Sequence, residues 1–222
     1  MSEPPQNGHY RSPMLPKPEP ITKQACTDRI DQHRAWVESD GREGYRASFF
    51  NCDLAGFEFG AASLNSADLV LADLRGAVLT GCDFENAQLT GADLSGGTFD
   101  DCSFIKASLI DVSLVKASLI GADLTGAYLM HANLEGANFK GADLTKAHID
   151  YARLTGASFK QAHLVGLDLR DWRLSEIQFQ GAFGDQSTRG HDGLTLILDS
   201  DHSRSISWAS AKGKLETEIK TR

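Results

Sequence analysis

Residues 67–81, Ala67-Asp68-Leu69-Val70-Leu71-Ala72-Asp73-Leu74-Arg75-Gly76-Ala77-Val78-Leu79-Thr80-Gly81, state one five-residue phrase three times: a small residue, a usually polar one, a Leu, and two that vary. Followed outward in both directions, the phrase keeps its register from Arg46 to Gln180. Taking the large apolar residue as the centre of each unit, the centres are Phe49, Leu54, Phe59, Leu64, Leu69, Leu74, Leu79 and Phe84, then every fifth position to Leu169, Leu174 and Phe179. All are Leu or Phe except Ile149. Two residues before each centre stands a small or apolar residue, from Ala47, Cys52, Ala62 and Ala67 down an Ala-dominated column to Ala162. A tandem array of this kind sets the architecture before any local motif does.

Five residues suit neither standard element, because a helix repeats its apolar face every 3.6 residues and a strand every 2. The chain must therefore turn within each unit, with the centre and the small residue two before it pointing inward and the other three facing water or forming a corner. Glycine falls where a corner needs it: Gly56, Gly76, Gly81, Gly91 and Gly96, and later Gly121, Gly126, Gly136, Gly141, Gly156 and Gly166, all lie two after a centre. The apolar columns then stack along one axis.

The units Ala67-Asp68-Leu69, Ala72-Asp73-Leu74, Ala92-Asp93-Leu94, Ala122-Asp123-Leu124, Ala132-Asn133-Leu134 and Ala142-Asp143-Leu144 resemble the A(D/N)LXX pattern of the pentapeptide-repeat family. The resemblance covers residues 46–180 of 222 without a slip. It implies an all-β fold, a right-handed quadrilateral parallel β-helix with four pentapeptides per coil. At roughly 4.8 Å per coil, nearly seven coils would make a rod on the order of 32 Å long. Stability in such a stack is a sum of contacts between neighbouring coils, and both open ends need covers.

Residues 1–20 hold all six prolines among Gln, Ser, Glu and Lys, a composition expected to form a disordered arm. Without a continuous apolar core this arm does not read as a signal peptide. Residues 21–45 follow as a capping helix and turn: Thr27 or Asp28 is expected to cap it, with Ile30, His33, Trp36 and Val37 on one face. The stretch 33–44 resembles the short leader helix of bacterial family members, which implies that Trp36 plugs the first coil. Toward the other end the small-residue column turns bulky at Leu167, Trp172 and Ile177, as it does at Phe57 in the first coil, and these four are expected to fill the ends. Residues 181–222 leave the repeat. Leu194–Leu198 and Ser205–Trp208 read as two strands around a polar turn, with a short helix near 214–220. This segment is read as a small C-terminal cap, or as a homodimer contact, since the resemblance implies dimerisation through that end.

Cys52, Cys82 and Cys102 occupy the inward small position, where a thiol behaves as a small hydrophobe, and Cys26 stands outside the repeat. Cys82 and Cys102 are twenty apart and so lie on successive coils, but parallel Cβ directions disfavour a disulfide. The expected compartment is reducing and cytoplasmic. No span approaches the roughly 20 apolar residues of a membrane helix. No metal-ligand spacing, phosphate-cradling loop or basic nucleic-acid patch appears, so no cofactor, metal or direct nucleic-acid contact is expected.

Three outward features remain. Residues 46–180 carry 17 acidic against 10 basic side chains, and 46–105 alone carry nine against two. Asp53, Asp73 and Asp93 align on one face, and Asp83, Asp123 and Asp143 on another, as a solvated surface or one that meets a basic partner. Qnr and MfpA-type members resemble a DNA rod and bind DNA gyrase in its place. About 32 Å of duplex carries on the order of 19 charges, well above this rod's excess. The second feature is apolar: Ile105, Ile110, Val115 and Ile120 fill the position after the centre on four consecutive sides, ringing one coil; Met130 extends the ring on the Ile110 face, and Val70 and Phe50 lie further along the same column. A contiguous belt points to a contact with a protein partner. The third is the column Tyr128, His148 and Asp168, twenty apart, which could hydrogen-bond as an acid/base set, although a convex rod with a filled interior holds no substrate. The sequence thus reads as a non-enzymatic protein-binding or scaffold module, with a gyrase-directed DNA mimic as the alternative and an enzyme last.

Overall fold

The computed structural model describes residues 16–168, 177–179, 181–184 and 188, together with the strand backbone at 194–198 and 206–210. Within the repeat, coils are joined at intervals of twenty residues. Ser48 bridges Asp68 in parallel, Asp68 bridges Gln88 and Gln88 bridges Ser108, and the same step links Asp53 to Asp73, Glu58 to Val78 and Ser63 to Asp83. Four such columns define four faces, named here by their centres in one coil: Phe104, Leu109, Leu114 and Leu119.

The hydrogen bonds of one unit show why the chain closes this way. The Leu109 amide donates to the Tyr128 carbonyl of the next coil (2.7 Å), and the Ser108 amide to Ala87 of the previous one (2.9 Å). Asp111 donates to Met130 (3.0 Å), and the amide of Val112 closes a β-turn on the Leu109 carbonyl (3.3 Å). The third residue of each such turn has φ near +60°, as a type II turn requires. Glycine takes that position in many units, for example Gly91 and Gly121, but Asn51, Leu71, Asp101, Lys106, Lys116, His131 and Tyr151 adopt it too. The corner is thus left-handed throughout, and none of its non-glycine occupants is β-branched.

The centres from Phe49 to Leu164 are buried, with Phe59 only partly so, and beside them runs the buried small column of Ala47, Cys52 and Ala62 onward. Where Phe falls on successive coils the rings stack, Phe84 on Phe104 at 4.8 Å and Phe139 on Phe159 at 5.0 Å, close to the spacing of paired strands. One corner departs from the rule. Phe57 fills a small slot and packs against Phe59 (5.8 Å), and the amide of Ala62 turns to Gly60 (2.9 Å) instead of the centre's carbonyl. The Cys82 thiol donates to the same Gly60 carbonyl (2.7 Å).

The N-terminal end is covered more fully than the sequence suggests. Strand β1 (Glu19–Pro20) pairs in parallel with β2 (Cys52–Asp53), so the last residues of the proline-rich stretch are ordered as an added strand on the first coil. The Asn51 side chain donates to Lys17 O (2.9 Å) and the Glu19 amide to Asn51 O (2.7 Å). Proline suits such an edge because it has no amide to leave unpaired. Helix α1 (Lys23–Glu38) starts at Thr22, whose hydroxyl accepts from the Ala25 amide (3.1 Å), and not at Thr27 or Asp28. Its buried residues are accordingly Cys26, Ile30 and His33. Trp36 is not the plug: it lies half-buried, stacked on His33 at 5.6 Å. The Nδ1 atom of His33 accepts from the Ala47 amide (3.1 Å), which ties the helix to the first coil. The return from helix to coil passes so close that a Cβ on Gly44 would sit 2.1 Å from the Gln32 carbonyl.

At the far end Leu167 is fully buried and Ile177 packs against the core, while Trp172 lies outside the described residues. Strands β3 (Leu194–Leu198) and β4 (Ile206–Ser210) form an antiparallel pair with Leu196 opposite Trp208. The helix expected near 214–220 lies outside the described residues.

Candidate interaction surfaces

In a regular unit such as 122–126, four of the five backbone amides are used by the ladder and the turn, and the one left over follows the centre. Where the residue before the centre is Asp or Asn, its side chain takes that amide. The amides of Ala55, Arg75 and Ser95 donate to the Oδ1 atoms of Asp53 (3.1 Å), Asp73 (3.2 Å) and Asp93 (3.0 Å). Those of Glu85, Thr125 and Thr145 donate in the same way to Asp83 (2.8 Å), Asp123 (2.9 Å) and Asp143 (2.8 Å). Asn133 and Asn138 do likewise for Glu135 and Lys140. This is an Asx-turn repeated along the rod, and it explains why Asp and Asn share the position: both offer a carbonyl-type oxygen two residues ahead of an orphan N–H. The six acids, read from the sequence as a solvated surface or one that meets a basic partner, each also serve as a turn acceptor.

Asp73 departs further from that expectation. It is 3% exposed, and its carboxylate is held by the Nε and Nη2 atoms of Arg75 at 2.8 and 2.6 Å. The same guanidinium lies 3.9 Å from Asp93. Hydrogen bonding to Asp73 and its charge raise the Arg75 pKa above its ordinary value. A face on which one acid is buried and a second lies near a cation presents less negative potential than its composition suggests.

The aliphatic belt is present, with Ile105, Ile110 and Val115 half-buried and Ile120 38% exposed. The twenty-residue bridges place these four on four different faces, so no flat partner can touch them together. Apolar continuity runs along the rod and on one face only. On the Leu109 face the position after the centre is Phe50, Val70, Thr90, Ile110 and Met130 on successive coils. On the other three faces the residues above and below the belt are Glu85 and Thr125, Ser95 and Glu135, and Asp100 and Lys140.

The same face carries the Tyr128 and His148 column. The two rings stack face to face at 5.0 Å and 4° and do not hydrogen-bond. A second pair, His131 and Tyr151, stacks at 5.3 Å at the adjoining corner. Sequence reading missed this second pair because it followed the polar column, although the corner column shows the same spacing of twenty. Tyr151 is 72% exposed, the highest value among the large hydrophobic residues described. With both Tyr128 and His148 at the surface, and the interior filled by Leu129 and Ile149, nothing desolvates a proton-transfer group here.

All four cysteines are free and buried. The Cys102 thiol donates to the Leu79 carbonyl (2.8 Å), and its pKa is pushed up by Cys82 and by burial, while burial pushes Cys26 up to about 11. Cys52, Cys82 and Cys102 fill small slots of the coil, and Cys26 is buried on α1. Among the described residues no helix is long and apolar enough to cross a membrane.

The profile of pentapeptide repeats matches the chain in eight copies, among them residues 45–81, 99–136 and 137–175. A pentapeptide repeat protein of the Arabidopsis thaliana thylakoid lumen is 32% identical, over 46% of this chain and 67% of that one, with a TM-score of 0.36. A pentapeptide repeat protein of the cyanobacterium Cyanothece is 23% identical, over 75% of this chain and 99% of that one, with a TM-score of 0.33. A trypsin-treated variant of QnrB1, a plasmid-mediated fluoroquinolone resistance protein, is 16% identical, over 64% of this chain and 92% of that one, with a TM-score of 0.32. No curated protein sequence matches the chain. With a repeat unit that closes one corner every five residues and a profile match across more than half of its length, the chain belongs to the pentapeptide-repeat family.

Proposed function

We propose that this chain is a non-enzymatic protein-binding or scaffold module, right-handed in its coil like the family it belongs to, and that it acts in the cytoplasm through the Leu109 face. The observation that carries this reading is the column on that face in which Phe50, Val70, Ile110 and Met130 are interrupted by Thr90 alone, Phe50 exposed and the other three half-buried, with the Tyr128/His148 and His131/Tyr151 stacks flanking its far end. Apolar side chains at the surface are ordinary when scattered, but several in one column of one face present an aligned surface to a partner. Tyrosine and methionine are also the residue types that interfaces favour. The test pairs two double variants in affinity capture. Ile110→Thr with Met130→Thr should abolish partner recovery, while Ile105→Thr with Val115→Thr, on other faces, should leave it intact. Equal loss from both pairs, with unchanged melting, would remove the assignment to this face.

A second reading, a DNA mimic directed at gyrase, rests on the nine acids against two bases in residues 46–105. Its test is a supercoiling assay with purified gyrase, with and without a quinolone, against the triple Asp53/Asp73/Asp93→Asn variant. Asn keeps the turn acceptors while removing the charge, but at Asp73 it also breaks the pair with Arg75, so the Asp53/Asp93→Asn double variant, which spares that pair, is the arm that reports on charge.

A further inference from the structure

The N-terminal end of the rod holds an open cleft of about 370 Å³ where β1, α1 and the first coil meet, lined by Glu19, Arg29, Tyr45, Arg46, Ser48 and Phe50 among others. Its two arginines stand apart from the rest. Arg34, Arg42, Arg75 and Arg153 each lie within salt-bridge distance of an Asp or Glu, and among the described residues Arg29 and Arg46 do not. Arg29 donates from Nη1 to the Ser48 carbonyl (2.8 Å) on the open edge of the first coil, with its guanidinium 5.8 Å from the Phe49 ring centre. Arg46 donates from Nε to the Ser66 carbonyl. A guanidinium carries five N–H donors in a fork, so both keep donors for a ligand. Tyr45 and Phe50, each 51% exposed, add two aromatic rings to the lining. Glu19 is the one carboxylate in the lining, so the cleft keeps an excess positive charge on a chain whose net charge is −8.

We propose that this cleft binds a small aromatic oxyanion, an aryl carboxylate or aryl phosphate, with its acid group on Arg29 and Arg46 and its ring against Tyr45 and Phe50. Guanidinium matches the planar oxygen pair of either acid, and an arene is the body that two exposed rings accept. The volume lies within the range of small-molecule sites. The cleft shares Phe50 with the protein-binding stripe, but the test of that reading substitutes none of the cleft residues, so the two can fail separately.

The experiment titrates the full chain with benzoate, phenyl phosphate and inorganic phosphate, followed by NMR shifts and calorimetry. Saturable binding of at least one aryl anion is expected, weaker for inorganic phosphate, and the preferred arm identifies the acid. Arg46→Gln, at an exposed position, should weaken binding about tenfold, the equivalent of one charge-assisted hydrogen bond. Phe50→Ser should erase the preference for aryl over inorganic phosphate. Glu19→Gln should tighten binding, a gain that a damaged fold cannot imitate. The proposal is overturned if neither aryl anion saturates at millimolar concentration, or if Arg46→Gln binds like the parent chain.

Discussion

Replacing Asp123 by Ala and by Asn separates the two meanings its carboxylate could have. Asp123 Oδ1 accepts the Thr125 amide at 2.9 Å, the one amide of that unit outside the ladder. Ala leaves this N–H without its protein acceptor. A hydrogen bond to a charged group contributes about 1.5–3 kcal/mol. Asp123 is half-buried, so water replaces part of that, and a loss of about 1 kcal/mol is expected. Asn keeps the oxygen and removes a charge that stacks beneath Asp143, with which Asp123 is bridged twenty residues on. The lost charge assistance and the relieved repulsion oppose one another, and Asn should stay within about 0.5 kcal/mol of the parent. Urea unfolding at neutral pH and moderate salt measures both variants. If Ala and Asn destabilise equally, charge and not geometry is what matters at this position. If Ala is neutral, the Asx-turn contributes nothing and the acid column is free to serve another purpose.

Three further outcomes follow from the same structure. Leu114→Ala should cost about 2–5 kcal/mol in the same assay, because hydrogen-bonded coils above and below cannot collapse into the space, and Leu114→Asp should prevent folding as judged by circular dichroism. Lys116 has φ of +56°, so Lys116→Gly should raise stability: relief of about 1–2 kcal/mol in the corner exceeds the extra chain entropy of glycine by about 0.5–1 kcal/mol, a small upward shift in Tm. Burial lowers the His33 pKa below 6.5, so the unfolded chain takes up that proton first. Stability should therefore be level above pH 6.5 and fall as pH drops below it, and His33→Gln should flatten that slope in urea titrations at a series of pH values.

The period of five was enough to locate the described centres from Phe49 to Leu164 in the interior, Phe59 only partly, because a misplaced register would have set Leu and Phe against water along the whole rod. Corners were legible only where glycine marks them. Lys116, Tyr151 and Leu71 adopt the same left-handed backbone without any compositional sign, since the turn imposes it through the ladder on both sides. The turn-acceptor role of the acids was not legible for a related reason. Their role appears only once the amides of a unit are assigned and one is left over, and that assignment needs the coil-to-coil bonds. In α1 the choice of Thr27 or Asp28 as cap moved the apolar face one turn late, toward Trp36. With Thr22 as the cap, Cys26, Ile30 and His33 form the stripe at spacings of four and three. The belt at 105–120 was visible as a run in the chain, yet its members point four ways. The stripe that shares one face is visible only to a reader stepping by twenty.

That step of twenty gives the molecule an address system in which every residue has a face and a level. Inserting or deleting one five-residue unit would leave the interior in register while turning everything beyond it by one side, so that Met130 would no longer lie in line with Phe50. Inserting four units would instead keep the sides aligned and only lengthen the shaft. Relatives that differ by single units can thus share a fold and a core while presenting unrelated exteriors, and lengths differing by multiples of twenty are the ones that preserve a binding stripe.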